Sequence, residues 1–483
     1  MSLSRRTVLK GAAGTASASA IAVGSKHSKV FAAPNIISQT GSNATVNFWY
    51  GYTGALGEQV QLLIDQFNGQ NNGVQVTGTA QASYEETAQL TTLAIQDGSN
   101  PDIAILSDVW WFRFYLAQAL LPLNDLISST GFDANDVVDS FRYEGVRKDV
   151  QYWLPFARST PLVYYNTDIF GGAGVTEFPA TWSAFEEIAP SLVDASAQVG
   201  ALALGPAADY LAWPFQGIAW AFGGAYSDPD FTIRINEQGA VDAGNLFLRG
   251  IESGWAYTAE VVNDEFTNGY SAMILSSTGG LRGITDTAAA NGVNFKTAFL
   301  PGEVEGAGPH CSTGGAGFGI LSNISAEQQA AAFSFVQFCS SYDKAIQWSQ
   351  GTGYMPILKS AIAGPEMAEF FGANPNFKTA VDQLPQTKPQ DAARAFIPGG
   401  DQIIGQGIAE IVVNQTDPQA AFDAVAATLT IEAAPVIEQV IALEGDLTSG
   451  AATPSASSAT PGATPGATPG ATPGATPAAT PAS

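Results

Sequence analysis

From residue 46 onward, short apolar runs alternate with amphipathic stretches. Residues 46–50 read as a strand, and the stretch after them places Val60, Leu63, Ile64 and Phe67 at i, i+3, i+4, i+7 spacing, the signature of a helix with one buried face. Residues 74–79 form a second strand, 85–96 a second helix closed by Gly98, and 102–106 a third strand. A βαβαβ order of this kind implies a parallel sheet with right-handed crossovers. Ligands of such sheets lie beyond the carboxyl ends of the strands, which singles out Trp49, Tyr50, Tyr84 and Asp108. Aromatic side chains there serve equally well as core, and Asp108 equally well as a helix cap.

The stretch 154–168 organises the rest. Its apolar run 162–165 is entered through two prolines, Pro155 and Pro161, that fix extended backbone, and left through Asn166-Thr167-Asp168, which suits a helix cap. Between the prolines stand Arg158, Ser159 and Thr160. A single buried strand with a polar approach is one reading; a passage between two lobes that carries ligand-binding groups is the other. Farther on, 182–193 is helical, and Trp213, Trp220 and Phe222 suit either a sugar-stacking surface or a core. Residues 271–275 form a strand running into Ser276-Ser277-Thr278-Gly279-Gly280, with a short helix from Leu281. Hydroxyls and free N–H groups at such a helix start suit an anion, and they are also ordinary caps. A strand at 294–300, a glycine-rich strand at 314–321, an apolar helix at 325–341, the Gly353-Tyr354-Met355-Pro356 turn and mixed helix to Glu444 complete the body. The glycine-rich run lacks dinucleotide-fingerprint spacing, and its glycines let another group approach the backbone closely.

Composition narrows the chemistry. At 483 residues, 46% of them hydrophobic, the chain exceeds one simple core, so two lobes are expected. A net charge of −25 repels nucleic acid and anionic membrane alike. Five of the 19 Lys and Arg precede residue 30, so an arginine near a ligand site stands out. With His27 and His310 the only histidines, multi-histidine metal sites are excluded, and no metal or cofactor is expected. Cys311 and Cys339 fit two buried thiols or one bridge formed after export.

Both ends differ from the body. Ser4-Arg5-Arg6-Thr7-Val8-Leu9-Lys10 matches a twin-arginine export signal, followed by a Gly/Ala/Ser segment and Val30-Phe31-Ala32, a small-residue cleavage site, so 1–33 reads as a signal peptide. From 448 the Ala-Thr-Pro-Gly repeat cannot bury a core and reads as an extended low-complexity tail, O-glycosylated or a wall-spanning spacer.

Several blocks in order carry a resemblance: Phe48-Trp49 with Gly54-Ala55-Leu56-Gly57-Glu58, Pro155-Phe156 with Ser159-Thr160-Pro161, Tyr164-Tyr165-Asn166, and Gly353-Tyr354-Met355-Pro356. In these the chain resembles the extracellular solute-binding proteins of family 1 that serve ABC importers, and within them most closely the glycerol-3-phosphate-binding group, over roughly 46–444. The resemblance implies an α/β, two-lobed periplasmic-binding-protein fold of type II, its lobes joined by crossings near 157–160, 275–279 and 340–343. Lobe 1 is then 44–157 with 279–340, and lobe 2 is 158–278 with 341–445. It implies ligand contacts at Tyr84, Ser159, Ser277, Gly315, Tyr354 and Arg394. Two departures stand out: Asp108 replaces a glutamate, and Arg158 replaces a small hydroxyl residue beside Ser159. Both join the expected ligand-binding set.

The expected function is capture of glycerol 3-phosphate or a related phosphorylated polyol by a monomer outside the cytoplasm, with delivery to a membrane permease. Arg394, Arg158 and the N–H groups of 277–280 would neutralise the phosphate, and Asp108 would accept from hydroxyls. A sugar or oligosaccharide binder is the alternative. An exported glycoside hydrolase needs two placed carboxylates, which 44 acidic residues make uninformative, and no nucleophile elbow or phosphate-binding lysine loop occurs. A surface adhesin fits the tail and leaves the α/β pattern unexplained.

Overall fold

The period-two pattern of the first apolar run is realised in the strand Ala44–Tyr50, whose alternate residues Ala44, Val46, Phe48 and Tyr50 are buried. The structure, a computed structural model, describes residues 44–205, 208–308 and 310–447. The signal peptide and the repeat tail lie outside the described residues. The helix Gly54–Asn68 buries the four residues its spacing selects, Val60, Leu63, Ile64 and Phe67. The strand Val74–Ala80, the helix Tyr84–Asp97 with Gly98 left-handed at its end, and the strand Ile103–Ser107 follow as expected.

The strands form two five-stranded sheets. In the first, Val74–Ala80, Ala44–Tyr50 and Ile103–Ser107 run parallel; Gly314–Ile320 then pairs antiparallel with Ile103–Ser107 on one side and Trp153–Ser159 on the other. In the second, the order is Phe295–Ala298, Pro161–Asn166, Ser271–Ser277, Gly200–Leu204, Ala256–Thr258. Trp153–Ser159 therefore ends in one sheet and Pro161–Asn166 begins in the other, with Thr160 as the single residue between them. The chain crosses where the proline-framed stretch suggests. Asn166 caps the next helix, Thr167–Gly172, accepting from the N–H groups of Asp168 and Ile169.

One boundary needs correction. The second passage was expected at 275–279, with residues from 279 returning to the first lobe. Instead Phe295–Ala298 pairs antiparallel with Pro161–Asn166 in the second sheet, so the chain stays there through Ala298 and returns between 299 and 313. The strand after the helix Leu281–Asn291 has its hydrogen-bonding partner on the second sheet's open edge, a long-range pairing that local periodicity does not encode.

The first sheet has its own aromatic core, in which Phe48, Phe67, Phe318 and Phe335 pack together. The largest core runs from Trp111 and Trp153 through Phe215 and Phe247 to Phe422 and Leu429 of the long helix Pro418–Glu444. That helix is apolar enough by length and composition to cross a membrane, yet it buries Phe422, Val425, Leu429, Val436 and Val440 against this core. Cys311 and Cys339 are both buried and unbridged. Cys311 sits at the returning passage, its Sγ 3.0 Å from Gln383 Nε2, which also donates to the Pro161 carbonyl at 3.1 Å.

Candidate ligand cleft

A cleft of about 520 Å³ opens between the sheets. The first sheet's side contributes Ser83 and Tyr84, the end of Ile103–Ser107 with Asp108, and Trp110 and Arg113. Ser277, Trp213, Arg394, Asp401 and Gln402 face them, and Ser159, Gly315 and Tyr354 line it where the chain passes between sheets.

Tyr84 opens its helix behind Ser83, whose side chain accepts from the Glu86 N–H. Its hydroxyl donates to Tyr52 Oη at 3.0 Å and lies 3.1 Å from Tyr354 Oη. Trp348 stacks on Tyr354 with ring centroids 5.8 Å apart and an interplanar angle of 14°. Burial pushes all three phenols above their usual range, so they remain protonated donors. Gly279 fits against this wall because a Cβ there would come within 2.6 Å of the Tyr354 ring.

Asp108 follows its strand, and its N–H donates to the Gly315 carbonyl at 3.0 Å. Gly315 holds φ +106°, and a Cβ there would lie 2.0 Å from the Ala157 carbonyl oxygen, so only glycine fits. Asp108 Oδ2 accepts from Gln390 Nε2 and lies 3.6 Å from Arg394 Nη1. Gln390 also donates to the Thr313 carbonyl at 2.8 Å and accepts from Arg394 Nη1. Arg394 is 6% exposed, and its buried Nε has no hydrogen-bond partner among the described residues. The Arg113 guanidinium lies over the Trp110 ring, 4.0 Å from its centroid. Burial lowers the Arg113 pKa, and the Asp401 and Glu85 carboxylates oppose that shift. Burial likewise raises Asp401, with Arg394 the main opposing charge. The cleft thus carries Asp108, Glu85 and Asp401 against Arg113 and Arg394.

Of the eight expected site residues, Tyr84, Asp108, Ser159, Ser277, Gly315, Tyr354 and Arg394 line this one cleft. Arg158 does not, and its expected contact with ligand is withdrawn. Neighbouring residues of a strand face opposite ways, so Ser159 on the cleft side turns Arg158 inward. Its side chain is fully buried, paired with Glu144 and lying over Trp153 and Phe141. A second correction concerns the turn 277–280. The Gly279 N–H donates to Ser277 Oγ and the Thr278 N–H to the Thr160 carbonyl, so two of the expected N–H groups are engaged within the chain. Trp49 and Tyr50 do not line the cleft, and Tyr50 packs in the first core.

Among the aromatics in question, Trp213 lines the cleft, its Nε1 donating to the Thr313 carbonyl at 3.0 Å, and it fills the space that a side chain at Gly314 would take. Trp220 and Phe222 belong to the core side, Trp220 donating to Asp391. Sequence reasoning missed Tyr52, Trp110, Arg113 and Asp401. The strand-end rule that selects Asp108 reaches Trp110 and Arg113 one turn on, and Pro398-Gly399-Gly400-Asp401 marks the helix start that brings in Asp401.

A family model described as bacterial extracellular solute-binding protein matches residues 63–379. The chain belongs to that family, the extracytoplasmic solute-capturing component of ABC importers. The solved structure of UgpB from Mycobacterium tuberculosis, in complex with glycerophosphocholine, is 35% identical, superposes with a TM-score of 0.75, and covers 80% of this chain and 98% of its own. The sn-glycerol-3-phosphate-binding periplasmic protein UgpB of Escherichia coli K12 is 24% identical over 402 residues, 78% of this chain and 90% of that protein. Maltose-bound MalE3 of T. maritima shares the fold at 20% identity and a TM-score of 0.70, covering 80% of this chain and 99% of its own. These relatives are binding proteins, and the fold is the two-lobed type II arrangement.

Proposed function

We propose that the chain captures a phosphate ester of glycerol, a glycerophosphodiester or glycerol 3-phosphate itself, without chemically altering it. One observation carries the reading: a buried guanidinium, Arg394, stands in the cleft with an Nε that no described residue uses, beside Asp108. Arg394 takes the phosphate and Asp108 accepts from glycerol hydroxyls. Ser159, Ser277 and the Tyr84 and Tyr354 hydroxyls complete the polar set, and Trp110 and Trp213 cover the carbon skeleton. Charge-assisted hydrogen bonds contribute about 1.5–3 kcal/mol each, and four or five, less ordering costs, suffice for a roughly micromolar site. The glycerophosphocholine complex of the 35% identical relative supports this choice.

Groups from both sheets touch the same solute, so the solute favours the shut arrangement by its differential affinity, and a permease reads that state. In this reading the hinge runs through Thr160, the 299–313 passage and 340–341. The leader 1–33 directs export by the twin-arginine route, and the protein acts as a monomer. The aromatic walls favour a second reading, a sugar as ligand. Calorimetric titration with glycerophosphocholine, glycerol 3-phosphate and a set of oligosaccharides separates the two. Heat with the phosphates and none with the sugars is expected, and the reverse pattern rejects the phosphate reading.

A further inference from the structure

Behind the cleft lies a buried cluster that touches no ligand position. Glu144, its side chain 10% exposed, pairs through Oε2 with Arg158 Nη2, and its Oε1 accepts from the Thr313 hydroxyl. Arg158 is wholly buried, and its Nε and Nη1 have no hydrogen-bond partner among the described residues, so Glu144 is the carboxylate that compensates this cation. Burial raises the Glu144 pKa, against the opposing effects of Arg158 and the Thr313 hydroxyl.

What these three groups hold together is the junction of the chain's passages between sheets. Arg158 precedes Ser159 and Thr160, and its carbonyl accepts the Met355 N–H at 2.8 Å, next to Tyr354. Thr313 opens the returning strand, two residues before Gly315, and its carbonyl receives both Trp213 Nε1 and Gln390 Nε2. Gln390 in turn holds Asp108 and Arg394. Ser159, Gly315, Tyr354, Trp213, Asp108 and Arg394 therefore each lie within three links of Glu144.

We infer that Glu144 is a positioning residue for the cleft, clasping the outgoing strand at Arg158 to the returning strand at Thr313 and so setting the register of the ligand groups on both. An uncompensated guanidinium beside Ser159 would draw water and shift its strand, and a strand shift at this junction reaches every cleft group named above.

The inference rests on the cleft being the solute site, and the experiment tests the two separately. Titrate the full mature chain with glycerophosphocholine, record the unfolding midpoint, and follow amide hydrogen exchange over 154–160 and 313–317 without ligand. Glu144→Gln keeps one acceptor oxygen in place of two and removes the charge that compensates Arg158, so faster exchange over 154–160 and binding about tenfold weaker are expected. Thr313→Val removes the clasped hydroxyl without changing shape. The double variant Glu144→Leu with Arg158→Met removes the charges and keeps the space filled. Both are expected to hold the wild-type midpoint, exchange faster over 313–317 and bind about tenfold more weakly. Unchanged exchange and affinity in Thr313→Val overturns the inference, as does affinity that falls only in step with the midpoint. If the wild-type chain does not bind glycerophosphocholine, the ligand choice fails, and exchange over the two strands still decides the role of Glu144.

Discussion

Arg394 concentrates the chemistry of the cleft in one side chain. Its neighbours satisfy Nη1 and leave Nε bare, so a ligand anion gains a charge-assisted bond without displacing one. Arg394→Ala should weaken glycerophosphocholine binding about 10–100-fold, and Arg394→Lys should recover little of it, since a point charge cannot use the same fork; isothermal calorimetry measures both. Asp391, three residues upstream, makes a prediction about pH. Its carboxylate accepts from Trp220 Nε1 and the Tyr226 N–H, and burial pushes its pKa from 3.8 up to about 6. A carboxyl raised in the fold stabilises it fully below pH 3.8, and that contribution is lost as pH rises through 6, on the order of 3 kcal/mol across the window. Urea unfolding of Asp391→Asn at pH 4.5 and pH 7.5 should show a smaller loss of stability with rising pH than wild type. An identical slope rejects the assignment. At this scale local rules were right in part: the strand-end rule that selects Asp108 and Tyr84 also selects Trp49 and Tyr50, which do not line the cleft. Strand ends gave Asp108 and Tyr84, and the resemblance added Ser159, Ser277, Gly315, Tyr354 and Arg394. Arg158 escapes the resemblance because strand parity turns it away from Ser159, into the core.

Among the elements, the long helix Pro418–Glu444 shows how a late segment is tied to an early one. It packs its apolar stripe on the helices Gln238–Glu252 and Gly400–Asn414, and its last residue reaches back to the early part of the chain. There Glu444 receives Arg147 through Nε at 2.7 Å and Nη2 at 2.8 Å, and the Tyr115 hydroxyl at 2.9 Å. The pair's side chains are 6% and 0% exposed, so solvent screens them little. Arg147→Met leaves the buried Glu444 carboxylate without its countercharge and should cost about 3–5 kcal/mol in urea unfolding, whereas Arg147→Met with Glu444→Leu should recover most of it. A single variant as stable as wild type would show that the pair contributes nothing. Helices with a clear stripe, such as Gly54–Asn68, were legible from spacing alone. The edge strand Phe295–Ala298 was legible as a strand, but its sheet was not, because its partner lies more than a hundred residues away.

For the whole molecule, charge and cleft act on the same event, the arrival of a solute. The chain carries a net charge of −25, and residues 1–33 contribute only positive charge, so the rest of the chain is more negative still. The cleft does not reverse that sign locally, since three carboxylates face two guanidinium groups. An anion is repelled at long range and held only on contact, whereas a ligand whose charges cancel approaches unhindered. Raising ionic strength from 0.01 M to 0.15 M shortens the screening length from about 30 Å to about 8 Å. Stopped-flow tryptophan fluorescence should therefore find that glycerol 3-phosphate, close to a dianion at pH 7, associates several-fold faster at the higher salt. The association rate of glycerophosphocholine, whose phosphate and trimethylammonium charges balance, should hardly change. Dissociation rates should respond weakly in both cases if, as proposed, the bound phosphate pairs with Arg394, whose burial keeps salt from screening it. A glycerol 3-phosphate association rate that falls with salt would mean that the guanidinium groups at the cleft, and not the acidic surface, set the field an incoming solute meets.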